Sequence, residues 1–352
     1  MAVREFRAEN FRCLEMVELE LVPHYNVIYG ANASGKTSLL EALAYLGRGK
    51  SFRGAPLTSL VRHGEREFVL FAKVDRGEQL SSVGVRNSGE GLEVRVDGDA
   101  AGGSASLAEA LPLQIIDPDI HNLVSGGPEE RRRYLDWIAF HVEHDFLPSW
   151  RRFRRALKQR NASLKAGGAG IESWNAEFVD LGLRVDAARR AVLEACRGSL
   201  EEQGAALLEG VVRFEYRQGW PADKNLAAAL EDSYARDLQQ GSTQVGPHRA
   251  DLRLIYDERQ ARRLVSRGEQ KLLACSMVLA ATEVVQTHLE RPMLLLLDDP
   301  AAELDAESLA RLMGQVFALG SQVVATSLAP DVLTFPEAPA MFHVKHGVLT
   351  RM

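Results

Sequence analysis

From residue 30 the chain reads Gly30-Ala31-Asn32-Ala33-Ser34-Gly35-Lys36-Thr37, the pattern G-x-x-x-x-G-K-[ST]. The chemistry such a run can do is phosphate binding. Gly30 and Gly35 let the backbone wrap so that successive N–H groups face one anion. The positive end of a helix opening at Lys36 adds to that field. Lys36 can reach the β- and γ-phosphates of a nucleoside triphosphate, the Thr37 hydroxyl can bind Mg²⁺, and Ser38 follows directly. At average residue usage a random match in a chain this long arises on the order of once in a hundred. The alternative, a glycine turn with an exposed lysine, would not need the apolar strand before the loop or the amphipathic helix after it.

A phosphate loop of this kind works with an acid at the end of a buried strand. Met293-Leu294-Leu295-Leu296-Leu297-Asp298-Asp299 supplies one. Asp298 is expected to hold Mg²⁺, usually through water. Two adjacent carboxylates beside an apolar strand are costly to desolvate without a nearby cation or donor; a solvated strand end is the plainer reading. About 260 residues lie between the two motifs, far more than in small GTPases or nucleotide kinases. One helix length before the acid strand stands Ser266-Arg267-Gly268-Glu269-Gln270-Lys271, which resembles the signature motif of ABC-type ATPases. That motif offers a hydroxyl and a helix N-terminus to the γ-phosphate held by a second subunit. Taken alone, the same residues read as an ordinary helix N-cap. Past the acid pair, the run ending in Asp305 resembles the D-loop of that class.

The elements that must hold these residues follow from periodicity. Residues 3–11, 17–22 and 26–29 alternate as strands, the last feeding the loop, and an amphipathic helix follows with Leu39, Leu40, Leu43 and Leu46 on one face. Further strands fit 68–74, 80–86, 92–96 and 113–116. From 128 to about 208 helix formers dominate. Strands return at 211–216 and 252–256, then a helix over 269–289, the acid strand, a helix over 306–318, a strand over 321–327 and a terminal hairpin around His346 and Gly347. Strand-rich ends around a helical middle predict one α/β domain split by an insertion. The expected division is residues 1–116 and 291–352 for an ATPase lobe and 117–290 for a largely helical lobe.

Composition excludes other classes. With 352 residues, 46% hydrophobic and 26% charged, the chain is neither collagen-like nor disordered nor a disulfide scaffold. Cys13, Cys196 and Cys275 lie too far apart for a zinc or redox motif. The first residues are charged, with no apolar core of an export signal, and no apolar run approaches the ~20 residues of a membrane span. A soluble, cytoplasmic protein with no membrane association is expected. A net charge of −6 argues against a protein that coats nucleic acid generically, yet residues 131–165 carry ten Lys/Arg against three Asp/Glu. Such a run is either a solvated helix face or a patch that neutralises phosphates, with Arg131, Arg132, Arg151, Arg152, Arg154 and Arg155 as its candidates.

Taken together the motifs resemble the RecF family of DNA repair proteins nearly from end to end. The pieces are Asn10-Phe11-Arg12, GANASGKTSLLEAL, GRGKSFR, GPEERRRYLDW, GPHRADL, SRGEQKLL and DDPAAELD, in that order. The resemblance implies an ABC-type P-loop ATPase head with mixed β-sheets and an inserted helical lobe, without a long coiled coil. It implies ATP and Mg²⁺ as cofactors, an ATP-dependent homodimer, slow DNA-stimulated hydrolysis, and binding of duplex, gapped or junction DNA and of single strands. By the same resemblance RecO and RecR are partners in loading recombinase at gaps, within DNA replication, repair and the SOS response.

Several positions stay open. Asp299 stands where transporters place a catalytic glutamate and is one methylene shorter, so slow turnover is expected. Thr326 and Ser327 end a strand where many ABC ATPases carry a switch histidine, and Ser327 is only a guess for that role. Gln114 is a Mg²⁺-sensing candidate by position alone. Arg12 and Arg53 either approach the nucleotide or are surface arginines, and His248-Arg249 is either an acid–base pair or, in a loop turned by Gly246-Pro247, a brace of the lobe interface. Rival readings are a transporter ATPase subunit, which would need a coupling surface, an SMC-like nuclease, which would need a further carboxylate cluster, and a DNA scaffold with a vestigial nucleotide site.

Overall fold

The computed structural model describes residues 1–77 and 79–352, the side chains of 263 and 264 excepted. The chain forms two compact units, one of Met1–Ile120 with Glu290–Met352, the other of His121–Leu289. Up to Ile120 the elements are β1 (Ala2–Phe11), β2 (Leu14–Glu20), β3 (Tyr25–Tyr29), α1 (Lys36–Arg48), α2 (Leu57–Leu60), β4 (Glu67–Asp75), β5 (Leu80–Ser88), β6 (Gly91–Val96), β7 (Asp99–Ala100), α3 (Ser104–Ala110) and β8 (Leu113–Ile116). The helical unit holds α4 (Asn122–Ser125), α5 (Pro128–Val142), α6 (Phe146–Lys165), α7 (Glu172–Leu207), β9 (Val212–Arg217), α8 (Leu226–Gln240), β10 (Asp251–Tyr256), β11 (Arg259–Gln260), α9 (Ala261–Leu264) and α10 (Arg267–Leu289). The first unit then resumes with β12 (Leu294–Leu297), α11 (Ala306–Ala318), β13 (Gln322–Ser327), β14 (Ala340–Lys345) and β15 (Val348–Arg351).

Two sheets make the first unit. One is antiparallel, ordered β2-β1-β4-β5-β6-β7; the other is ordered β15-β14-β3-β13-β12-β8 and parallel except at β15. Their sequences differ as their burial does. β4 alternates buried and half-buried residues, the mark of a sheet covered fully on one face, whereas every residue of β8, β12 and β13 is buried. Helix α1 packs against strands of both sheets, so its apolar residues are buried all round, Leu39 through Leu46 included. Phe11, Tyr45 and Phe68 meet edge to face at 5.0–6.2 Å, and Asn87 donates to the Tyr45 hydroxyl.

In the helical unit α7, of 36 residues, packs on α6 and α10. Helix α10 corrects the expectation that nothing in the chain could span a membrane: it is long and apolar enough by length and composition. Packed among α5 and α7, it is largely buried within its own unit, as a core helix of a soluble fold is. Helices α3 and α8 lie where the sequence reading placed no element.

Candidate phosphate-binding site

β3, β12, β13 and β8 run parallel, so their carboxyl ends share one edge, and the motif residues lie there. The loop leaves β3 at Gly30, whose N–H donates to Ser327 O of β13 (3.3 Å). Gly35, at φ 111°, takes the loop into α1 in a conformation that favours glycine. Lys36 folds its ammonium back over the loop, donating to Gly30 O (2.7 Å) and Ala31 O (2.9 Å). Burial lowers the Lys36 pKa from its ordinary value, and the charges of Asp299 and Asp298 oppose that. The Ser34 hydroxyl is buried with no partner of its own.

Asp298 is the buried acid. Its Oδ1 accepts from Thr37 Oγ1 (3.0 Å) and Thr326 Oγ1 (2.8 Å), while Thr326 Oγ1 in turn accepts from the Asp299 N–H (2.9 Å). Burial raises the carboxyl pKa, and neighbouring Asp299 adds to the rise despite the two hydroxyl donors. Asp299 itself adopts φ 48°, an unusual angle for a non-glycine residue. Near the end of β13, Thr326 is thus bonded to Asp298, and the Ser327 hydroxyl donates to Ala329 O (2.8 Å).

A further acid on this edge escaped the sequence reading. Asp117 follows β8, and the register setting Ile116 beside Leu297 sets it next to Asp298. Its carboxyl is pushed up to about 6 by burial first and the Asp119 charge second, with Arg48 pulling the other way. Arg48, at the end of α1, is pushed down to about 10 by burial and donates to Gln114 Oε1 (3.2 Å). Gln114 therefore engages an arginine of its own unit. On the other flank Arg12, at φ 55°, makes a two-pronged pair with the fully buried Glu41 (2.6 and 2.9 Å), and Ser51 also donates to Glu41. The Arg53 N–H donates to Ser51 Oγ (3.1 Å). The Cys13 thiol reaches the Ser38 hydroxyl at 3.6 Å.

This donor set fits a triphosphate with Mg²⁺. The loop has an unsatisfied hydroxyl at Ser34, a cation at Lys36 and the amide end of α1 for phosphate. A threonine hydroxyl beside a buried carboxylate is a hard-oxygen pair of the kind Mg²⁺ takes, its other positions being filled by phosphate and water. No group of three or more His, Cys, Asp or Glu that could hold a metal occurs among the described residues, so a protein-only metal cage is not what is built.

The other candidates sit as follows. Asp305 caps α11, accepting from the Ser308 N–H (2.8 Å) and hydroxyl (2.9 Å), which hold its pKa below the ordinary value. Ser266 and Glu269 form a reciprocal cap at the start of α10: Ser266 N–H and Oγ donate to Glu269 Oε2 (2.9 and 2.5 Å), and the Glu269 N–H donates to Ser266 Oγ (3.3 Å). Gln270 Nε2 donates to Val265 O (3.2 Å), and Arg267 and Gly268 lie in the same first turn, where nothing lies within 4 Å of a side chain added at Gly268. His248 donates from Nε2 to Thr243 O (2.9 Å), and Arg249 Nη2 donates to Gln244 Oε1 (3.1 Å), so the pair fastens its own loop.

The basic run divides sharply. Arg131 is no surface residue: it is 3% exposed, pairs with Asp251 (2.8 Å) and donates to the carbonyls of Val124 and Gly126. Arg132 donates to Ala250 O (2.7 Å), Arg152 pairs with Glu177 (2.9 Å), and Arg154 lies over the Trp150 ring (4.9 Å). Arg151 and Arg155 are exposed.

A phosphate loop and an acid strand on one parallel sheet, with a helical unit inserted before the acid strand, define an ABC-type P-loop ATPase head. The family described as RecF/RecN/SMC N terminal domain matches residues 2–349. The "DNA replication and repair protein RecF" of Hydrogenovibrio crunogenus is 34% identical over 99% of this chain and 98% of its own. That of Shewanella baltica is 36% identical, with 99% of both chains covered. A solved structure of the recombination mediator protein RecF of the RecFOR pathway, as RecF-ATPrS, superposes at TM-score 0.88 with 25% identity over 99% of this chain and 98% of that one. An SMC head bound to the C-winged helix domain of ScpA shares the fold alone, at TM-score 0.59 and 18% identity over 100% of this chain and 98% of that one. The chain belongs to the RecF family.

Proposed function

We propose that this chain is a cytoplasmic, ATP-binding protein of DNA replication and repair that uses the triphosphate as a switch. The observation that carries the reading is the bonded set Thr37–Asp298–Thr326 at the mouth of the loop, with Lys36 beside it. In this reading the loop amides and Lys36 hold the phosphates, and Thr37 and Asp298 hold Mg²⁺. Asp299 orients water for a slow, DNA-stimulated hydrolysis. Two copies close on ATP, with Ser266 and Gly268 of one meeting the γ-phosphate of the other and Asp305 nearby. A ligand that stabilises only the closed pair couples nucleotide to oligomeric state.

The DNA surface of this reading is the exposed face of α6. That helix carries seven Lys/Arg and no Asp/Glu. Arg151 and Arg155, with Lys158 one turn further, are the cations on it that take phosphates of duplex, gapped or junction DNA and of single strands, within the damage (SOS) response. Arg131 drops out because its charge is already spent on Asp251. RecO and RecR complete the pathway of recombinase loading.

The test titrates gapped duplex DNA with and without a non-hydrolysable ATP analogue while sedimentation follows oligomeric state. The analogue should produce dimers and tighten DNA binding. Ser266→Arg should keep ATP affinity and lose the dimers, whereas Lys36→Ala should lose nucleotide affinity itself. Monomers throughout, with analogue bound, would overturn the switch.

A further inference from the structure

The phosphate loop is clamped from a direction that the motif does not include. Strand β14 lies parallel to β3, with Ala340 beside Asn26 and His343 beside Tyr29, and the Tyr29 and His343 rings stack at 5.0 Å. The turn at His346 and Gly347 that leads into β15 is thereby set against the loop. There the Gly347 N–H donates to Ser34 O at 2.9 Å.

The fit has no slack. Gly347 adopts φ 76°, and a side-chain carbon added to it would stand 2.7 Å from Cys13 O, on the β1–β2 turn. One added at Gly30 would stand 2.4 Å from Val344 O, and one at Gly35 would be 3.2 Å from Cys13 Sγ and 3.5 Å from Gly347 Cα. Two turns more than 300 residues apart in sequence thus close on the loop from its outer side.

We propose that the turn at His346 and Gly347 is a positioning element of the nucleotide site, acting by holding the Ser34 carbonyl. The Ser34–Gly35 peptide is planar and trans, so its carbonyl and the Gly35 N–H point in opposite directions. Fixing the carbonyl outward onto Gly347 fixes the Gly35 N–H inward, toward the phosphates. The bond costs the loop nothing when nucleotide arrives, since the amide is already aimed. This inference rests on the loop being a nucleotide site, as proposed above.

The experiment measures the dissociation constant of a fluorescent ATP analogue with Mg²⁺ for Gly347→Ala and for Gly320→Ala, alongside unfolding without nucleotide. Gly320 is the control for backbone strain: it has φ 63°, nothing within 4 Å of an added side chain, and lies one strand length from the loop, before β13. Gly347→Ala should weaken analogue binding by about ten-fold or more, the scale of one lost and misdirected hydrogen bond. Gly320→Ala, which carries the strain without the close contact, should bind as the wild type does at a smaller loss of thermal stability. Equal affinities for both variants would overturn the proposal. If Gly347→Ala does not fold, hydrogen exchange on the wild type decides. The analogue should slow exchange at residues 341–352 together with 30–38; protection of 30–38 alone would overturn the proposal. A wild type that binds no analogue sinks the nucleotide reading instead, and Lys36→Ala marks that baseline.

Discussion

In the helical unit Arg160 and Asp237 are both fully buried and 2.9 Å apart, and Thr243 and Asn175 take further guanidinium hydrogens. In the other unit the buried Asp298 and the half-buried Asp117 lie beside acids of like sign, and desolvation pushes both carboxyl pKa values up. Arg189 with Asp136 (2.7 Å) and Arg131 with Asp251 (2.8 Å) repeat the first pattern. The helical unit pairs these buried charges internally; the other unit does the same at Arg12–Glu41, but at the phosphate-loop edge it sets Asp298 beside Asp299, with two hydroxyls as its side-chain donors. Matched pairs rigidify a fold, whereas acids held under strain await a ligand that the chain does not itself contain. The contrast lies between the paired charges of the helical unit and the carboxylates at the phosphate-loop edge.

The largest effect should come from breaking a matched pair. Asp237→Ala leaves Arg160 buried and unpaired, and should cost about 3–5 kcal/mol in urea unfolding. A loss below about 1 kcal/mol would place this pair with the surface ones and remove the contrast.

Next in size is acid sensitivity of the same unit. Burial, with the charges of Arg249, Arg132 and Arg160, pushes His248 down to about 4. The unfolded chain protonates first as pH falls, so stability is full above about 6.5 and declines toward pH 4, by up to about 3 kcal/mol. His248→Gln should flatten that decline in a pH series of unfolding curves.

On the other side of the comparison a substitution should help. Asp117 titrates near 6 in the fold against a lower unfolded value, so its contribution is present in acid and lost as pH rises from about 4 to 6. Asp117→Asn should raise the stability of the nucleotide-free chain at pH 7 by about 2 kcal/mol and remove that loss. A destabilised variant would mean that Asp117 is compensated after all. Smallest in stability is Arg155→Ala, expected within about 0.5 kcal/mol of the wild type. Its effect should appear instead as weaker DNA binding with a shallower salt dependence.

The phosphate loop was legible in the sequence because its eight residues are contiguous and their spacing is itself the mechanism. Asp298 was legible through the apolar strand before it. The bond from Thr326 to Asp298 and the role of Asp117 were not, because both residues meet Asp298 only through the register of a parallel sheet built from strands far apart in sequence. The basic run misled in part for the same reason. Charge counting along residues 131–165 sees Arg131 but not Asp251, its partner 120 positions away. The reciprocal cap at Ser266 and Glu269 was readable from spacing, and it was read as the plainer alternative to a signature motif. The strand–helix order of the ends survived because burial on one face or two leaves different periods in the residues themselves.

The route of the chain through its parallel sheet has a consequence for biosynthesis. Thr37 emerges 261 residues before Asp298 does, so at ~5–20 residues per second the ribosome delivers the second half of the pair about 13–50 s after the first. Through that interval β3 and β8 lack β13 and β12, the strands that separate them in the finished sheet, while the whole helical unit is made. A nascent chain halted before Leu294 would carry every residue of the loop and nothing to close the sheet around it, a ready substrate for chaperones or proteases.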